Sequence, residues 1–293
     1  MEQHGSNPRQ NVIAVIPARY GSTRLPGKML LPIGGTPLIV HTARRAAAAP
    51  SVSRVIIATD DERIIRAVEA EGFEARMTSA GHNSGSERIA EVADSLPVGT
   101  VVVNVQGDEP LISPETIDRA VEALGRSNPE DEAQGFGSSA QQDIGRVDIC
   151  TVYEQITNVA DVISPDVVKV VTDLHGFALY FSRSPIPFPR NESKQHGALQ
   201  TFLEREPGAI GSFKKHVGLY VYSREYLLKL AHLPQTELEK IEMLEQLRAL
   251  ENGARIKAIE AIGASIGVDT EEDLQRVTAM LKGGDPMSSV TSI

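Results

Sequence analysis

Residues 12–28 read Val12-Ile13-Ala14-Val15-Ile16-Pro17-Ala18-Arg19-Tyr20-Gly21-Ser22-Thr23-Arg24-Leu25-Pro26-Gly27-Lys28. Val12 to Ile16 is a short apolar run, which predicts a buried strand ending at Pro17. The loop behind it carries the cations Arg19, Arg24 and Lys28, with Gly21, Gly27, Ser22 and Thr23 offering accessible backbone and hydroxyl donors. Charge, forked donors and close backbone approach are what holding a triphosphate requires. In a doubly wound α/β fold a ligand lies beyond the carboxyl ends of the strands, where this loop falls. A P-loop does not fit: Gly21 and Gly27 enclose five residues rather than four, and Met29 stands where that motif binds magnesium through a hydroxyl. A GxGxxG reading fails too. On these residues alone, a basic solvated surface loop remains the alternative.

Outward from this loop, strand-like and helix-like segments alternate. Gly34-Gly35 makes a turn, Thr36 caps, and Pro37 starts a helix to Ala49. Val55 to Thr59 is a second strand, with Asp60-Asp61-Glu62 opening the next helix. Ser84-Gly85-Ser86-Glu87 fits a capping box, Val101 to Val105 is a further strand, and Ser113-Pro114-Glu115 begins another helix. This spacing predicts an α/β fold with a largely parallel sheet, and unbroken apolar runs mean that it is covered on both faces.

The second half is less regular. Residues 126–146 form a polar insertion, followed by strand-like pieces at 147–152, 167–172, 178–182 and 216–222. A helix over Glu237–Glu251 would put Leu238, Ile241, Leu244, Leu247 and Leu250 on one face and stop at Asn252-Gly253. Ile256–Ala261 and Gly267–Asp269 read as strands, and Thr270 caps a last helix. Residues 1–11 and 283–293 read as flexible tails.

Composition narrows the function. A net charge of −10 argues against nucleic acid as a partner and requires that cations for an anionic substrate be gathered locally. The single cysteine, Cys150, supports no internal disulfide framework. No apolar run is long enough for a membrane span, and the first residues lack the apolar core of a secretory signal. The expectation is a cytoplasmic protein without a membrane partner.

Asp108 and Glu109 follow Gln106-Gly107 just beyond a strand, facing the cationic loop; Asp269 is placed similarly after a late one. Acids so placed suit Mg²⁺ on nucleotide phosphates, although Asp108 also reads as a turn residue and Asp269 as a cap beside Thr270.

The segment IPARYGSTRLPGK resembles the N-terminal signature of the 3-deoxy-manno-octulosonate (Kdo) cytidylyltransferases, the CMP-Kdo synthetases. The resemblance continues through ATDDE, SGSERIAE, VVNVQGDEPLI, VVKVVTD, ALYFSRSPIP, HVGLYVY, LEKIEMLEQLR and GVDTEEDL, covering roughly residues 12–282. It implies a three-layer, Rossmann-like nucleotide-diphospho-sugar transferase fold. A CTP-binding half at 12–125, a smaller strand-rich sugar-binding and dimerisation part at 147–225, and a return at 236–282 would form one domain. It implies CMP transfer from CTP to the 2-hydroxyl of Kdo for lipopolysaccharide biosynthesis, in a homodimer, with pyrophosphate released.

By the same resemblance Asp108 and Asp269 hold the catalytic Mg²⁺, and Arg19 and Lys28 act on the phosphates. Ser22, Arg24, Met77, Ser84 and Arg88 join these two around CTP. Gln106, Arg183, His216, Tyr220 and Glu245 bind Kdo. No side chain stands out as a general base, His82 and His216 being the candidates. The chain departs from the pattern at Gly263-Ala264-Ser265-Ile266, which lacks the usual Pro-Gly, and at Pro189 and Asn191, where acids are common. A CMP-sialic acid synthetase or another acidic-sugar nucleotidylyltransferase shares the chemistry, but the first loop here reads Gly-Ser-Thr-Arg-Leu-Pro-Gly-Lys. A nucleotide-binding regulator without turnover has little use for two separated metal carboxylates.

Overall fold

The computed structural model describes residues 11–22, 25–82, 84–125, 146–263 and 265–282. Except for Asn11 and Arg146, the expected tails and the polar insertion lie outside these residues. The chain divides into two compact units, each described by itself. The first comprises Met1–Asp118, Tyr222–Ala231 and Gly263–Ile293; the second comprises Arg119–Val221 and His232–Ile262.

In chain order the first unit contains β1 (Val12–Ala18), β2 (Pro32–Ile33), β3 (Thr36–Pro37), α1 (Leu38–Ala47), β4 (Arg54–Thr59), α2 (Glu62–Glu69), β5 (Glu74–Met77), α3 (Gly85–Asp94) and β6 (Val101–Asn104). Helix α4 (Pro114–Gly125) then carries the chain into the second unit. Strands β6, β1, β4 and β5 lie side by side, all paired in parallel. Every residue of β1 and β6 is buried, so both pleat faces are covered, and α1, α2 and α3 pack on these strands.

Several sequence expectations shift. Strand β1 runs on through Pro17 to Ala18; its pairing with β6 ends at Val15, so the proline lies beyond the doubly flanked stretch. Thr36 caps nothing, because the turn at Gly34-Gly35 folds Ile33 onto Thr36 and Pro32 onto Pro37, and α1 starts only at Leu38. Strand β5 escaped notice because Glu-Ala-Arg-Met has no apolar run. Two caps hold as expected: the Asp61 side chain accepts from Arg63 N, and Ser84 Oγ accepts from Glu87 N at 3.2 Å.

The second unit contains β7 (Ile149–Gln155), β8 (Lys169–Thr172), β9 (Ala178–Ser182), β10 (Lys214–Ser223) and β11 (Ile256–Glu260), the last two residues of β10 falling in the first unit. Strand β11 pairs in parallel with β7, while β8 is antiparallel to both β10 and β9. Ile156, Val162, Phe202, Leu203, Ile210 and Phe213 form a core cluster. The single helix expected over Glu237–Glu251 is two, Glu237–Glu242 and Glu245–Glu251, broken at Met243 with φ 55°. The break leaves Ile241 exposed while Leu247 is fully buried, so the five-residue apolar stripe does not exist as one face.

Candidate active site

Because β1, β4 and β6 run parallel, the segments after Ala18, Thr59 and Asn104 emerge at one edge of the sheet. The turn after β6 is drawn tightly against β1. A Cβ on Gly107 would stand 2.9 Å from Pro17 O and 3.1 Å from Met29 Sδ, so only glycine fits. Thr42 Oγ1 of α1 donates to Gly107 O at 2.9 Å and pins the same turn. The cationic loop closes on itself: Gly27, at φ 67°, donates its N–H to Tyr20 O at 3.2 Å and lies under the Tyr20 ring. The Arg63 guanidinium covers that ring at 3.3 Å from its centroid.

This closure delivers Lys28 into a nearly buried position between two carboxylates. Its Nζ lies 2.5 Å from Asp108 Oδ2, 2.9 Å from Asp269 Oδ1 and 3.2 Å from Val268 O. Burial pulls the Lys28 pKa down, but the charges and hydrogen bonds of Asp108 and Asp269 together outweigh it, and the net shift is above 10.5. The carboxylate pair inferred from positions far apart in the chain therefore converges on one cation position.

Asp269 reaches that position on a loop, not on the expected strand at Gly267–Asp269. Val268 anchors the loop by burying its side chain with Ile33, Leu38 and Val277, and its N–H donates to Asp108 O at 2.9 Å. Beyond it Thr270 caps helix Glu271–Lys282 as expected: Thr270 Oγ1 accepts from Asp273 N at 3.2 Å, and Asp273 Oδ2 accepts from Thr270 N at 2.9 Å.

The other expected nucleotide contacts are dispersed around this edge. Arg19 follows β1 directly and has no hydrogen-bond or ion-pair partner among the described residues. Ser22 Oγ accepts from Leu25 N at 3.3 Å; Arg24 lies outside the described residues. Met77, at the end of β5, is half exposed, and Ser84 is the cap of α3. Arg88 is fully buried, with Nη2 on Asp60 Oδ2 at 2.7 Å and Nη1 on Thr78 Oγ1. In this geometry its guanidinium braces the segments that follow β4 and β5. His82 pairs with Glu91 at the surface.

Gln106 belongs to this unit and donates from Nε2 to Asn104 Oδ1 at 3.0 Å. The remaining expected sugar residues are in the second unit. There the His216 ring lies 5.0 Å from Phe181 and 5.4 Å from Tyr220, and burial pushes its pKa down to about 3. Thr151 Oγ1 is 2.9 Å from His216 Nε2 and 2.8 Å from Leu219 O. The hydroxyl has one proton, which the Leu219 carbonyl takes, so Nε2 donates to Thr151 and Nδ1 keeps a lone pair. A neutral imidazole of this tautomer accepts from a hydroxyl and offers no charge to a carboxylate.

Arg183 donates from its N–H to Glu242 Oε2 at 2.9 Å, from Nε to Glu242 O at 2.7 Å and from Nη1 to Pro165 O at 2.9 Å. The helix break at Met243 is what releases the Glu242 carbonyl for this contact. Lys169, wholly buried, donates to the carbonyls of Ser164, Val167 and Arg183 at 2.8, 2.6 and 2.6 Å. Glu245 stands half-buried in the first turn of its helix. Glu242 and Lys169 went unrecognised in the sequence. A lysine inside Val-Val-Lys-Val-Val is a signal for the second; nothing local marks the first.

Among the described residues no three His, Cys, Asp or Glu side chains gather as a metal site. The two carboxylates meeting at Lys28 Nζ still suit Mg²⁺, which takes one or two protein carboxylates and completes its shell with phosphates and water.

Residues 13–258 match the cytidylyltransferase family. A 3-deoxy-manno-octulosonate cytidylyltransferase of Geobacter sulfurreducens is 47% identical over 93% of this chain and 100% of its own. One from Trichlorobacter lovleyi is 46% identical over 93% and 99%. Among solved structures, a CMP:2-keto-3-deoxy-manno-octonic acid synthetase complexed with CTP superposes with a TM-score of 0.75 at 37% identity, over 93% of this chain and 99% of the other.

Proposed function

The chain belongs to the cytidylyltransferase family, and from that premise we propose that it transfers CMP from CTP to the anomeric 2-hydroxyl of 3-deoxy-D-manno-octulosonate, releasing pyrophosphate. The observation that carries the reading is the meeting of Asp108, Asp269 and Lys28 where the parallel strands end. That is the place where a doubly wound sheet binds its ligand.

In this proposal Asp108 and Asp269 hold Mg²⁺. Bound there, the ion would lower the pKa of the sugar hydroxyl and neutralise charge on the α-phosphate. Lys28 turns from the carboxylates to the phosphates as CTP arrives, exchanging one set of anionic partners for another. Arg19, which has no hydrogen-bond or ion-pair partner among the described residues, stabilises the charge that grows on the phosphates together with Lys28. Arg24 and Ser22 complete the phosphate loop, and Met77 and Ser84 flank the base. Arg88 supports that wall through Asp60 and Thr78.

On the sugar, His216 accepts from a hydroxyl through Nδ1, with Gln106, Tyr220 and Glu245 adding further polar contacts. Arg183, held by Glu242 and Pro165, supplies the positive charge for the carboxylate. We read residues 12–282 as one catalytic domain working as a cytoplasmic homodimer, whose product serves lipopolysaccharide biosynthesis. These last points rest on the family resemblance. Among the described residues no helix is long and apolar enough to cross a membrane.

The decisive assay incubates the protein with CTP, Mg²⁺ and either Kdo or sialic acid and follows pyrophosphate. Release with Kdo is expected. Silence with Kdo overturns the proposal, and release with sialic acid alone reassigns the substrate.

A further inference from the structure

Asp108 and Asp269 are 161 positions apart by their numbers, yet both must reach one cation position. Residues 265–269 belong to no helix or strand, so regular hydrogen bonding does not place Asp269. The neighbour of Asp108 does much of this work. The Glu109 backbone is locked into the turn after β6: its N–H donates to Gln106 O at 3.1 Å and its carbonyl accepts from Ile112 N at 3.2 Å. Its carboxylate is thereby aimed at the Asp269 loop. Oε2 accepts from Ser265 Oγ, and Oε1 lies against Gly267 so closely that a Cβ there would stand 3.2 Å away. Ser265 is only 8% exposed, so its hydroxyl faces this partner rather than solvent. Val268 N, donating to Asp108 O at 2.9 Å, closes the same junction one residue before Asp269.

We infer that Glu109 is a positioning residue: through Ser265 and the close approach of Gly267 it holds the Asp269 loop in register with Asp108 and so sets the metal affinity of the pair. The inference rests on the proposed role of Asp108 and Asp269. It gives Glu109 a task distinct from ligating the metal, because both its oxygens are directed at residues 265–267. Ordering a loop requires contacts that offset its conformational entropy, and a half-buried carboxyl group accepting from a buried hydroxyl is one.

The test is a titration of Mn²⁺ by electron paramagnetic resonance in the presence of a non-hydrolysable CTP analogue, beside steady-state kinetics in which Mg²⁺ and CTP are varied separately. Ser265→Ala and Glu109→Ala are expected to weaken Mn²⁺ binding about tenfold or more, as loss of an outer partner does, while KM for CTP at saturating metal stays near wild type. Glu109→Gln, which keeps an acceptor for Ser265, is expected to bind Mn²⁺ nearly normally. The double variant should be no worse than Glu109→Ala, because the two side chains act as one contact.

Wild-type Mn²⁺ affinity in Ser265→Ala overturns the inference. So does a loss in Glu109→Gln as deep as in Glu109→Ala, which would make Glu109 a metal ligand. Should Glu109→Ala fail to fold, Ser265→Ala and Glu109→Gln still decide. Asp269→Asn separates the two readings. If it keeps Mn²⁺ binding and turnover, the carboxylate pair itself is wrong. If it loses both while Ser265→Ala does not, only the positioning role falls.

Discussion

Lys28 in the first unit and Lys169 in the second are both removed from water, yet they answer to different partners. Lys28 faces two carboxylates, at 2.5 and 2.9 Å, whose charges raise its pKa against the opposing pull of burial. Lys169 faces three backbone carbonyls; burial dominates, the Arg183 charge adds to it, and its pKa is lowered. Carboxylates are replaceable partners, since phosphates can take over the ammonium and a metal can take over the acids. Backbone carbonyls inside a fold have no other donor within reach. The first lysine is therefore poised for exchange, and the second ties the Ser164–Val167 segment to Arg183. The contrast is between these two lysines: the partners of Lys28 are side chains that can move, and those of Lys169 are fixed by the backbone.

The largest effect should come from the acids. Asp108→Asn or Asp269→Asn is expected to lower turnover by about a hundredfold or more while the melting temperature stays close to wild type, read by pyrophosphate release and circular dichroism. Activity near wild type in either variant would break the first half of the comparison.

Next are the lysines themselves. Lys169→Met removes the donor for three carbonyls and should destabilise by about 3 kcal/mol. Lys28→Met, whose carboxylates are partly hydrated, should lose about 1 kcal/mol of stability, although its turnover should collapse. Their alkaline signatures should also differ in sign. With a raised folded pKa, Lys28 contributes stability that is complete below pH 10.5 and is lost as pH rises through the higher folded value. With a lowered folded pKa, Lys169 gives stability that rises with pH up to 10.5. Denaturant melts of each variant against wild type across the alkaline range read this directly.

His216 extends the comparison to a histidine. Its pKa falls from 6.5 to about 3, so the folded state resists the proton that the unfolded chain accepts. Stability is complete above pH 6.5 and is lost as pH falls toward 3. His216→Gln should flatten that acid loss by a few kcal/mol, on the order of the shift itself. An unchanged acid slope would mean that the ring charges readily. The smallest effect belongs to Met243→Gly. Relief of the left-handed backbone at φ 55° should raise stability by about 1 kcal/mol without moving Glu242 off Arg183, measurable as a small rise in melting temperature.

Legibility followed the range of the interaction. Strands β1, β4 and β6, the caps at Asp61, Ser84 and Thr270, and the α/β alternation were readable because apolar runs and caps act over a few residues. The helix break at Met243 was not, because the apolar spacing continues across it. What stops the helix is a distant demand, the carboxylate and carbonyl of Glu242 meeting Ser182 and Arg183 some 60 positions away by hydrogen bonds at 2.6 to 2.9 Å. The burial of Arg88 against Asp60 was not legible either, because the two residues meet across 28 positions of chain.

By itself the sequence determined the fold class, the cationic loop after β1 and the family, because local hydrophobic periodicity and a long run of matching motifs need no knowledge of what touches what. It also marked Asp108 and Asp269 as acids beyond strands. Only the tertiary structure decided that they share a single cation position with Lys28 between them, across 80 and 241 positions of chain. Electrostatic partnership depends on distances in space of a few ångströms, and packing, through Gly107 against Pro17 and Val268 into the core, is what sets those distances.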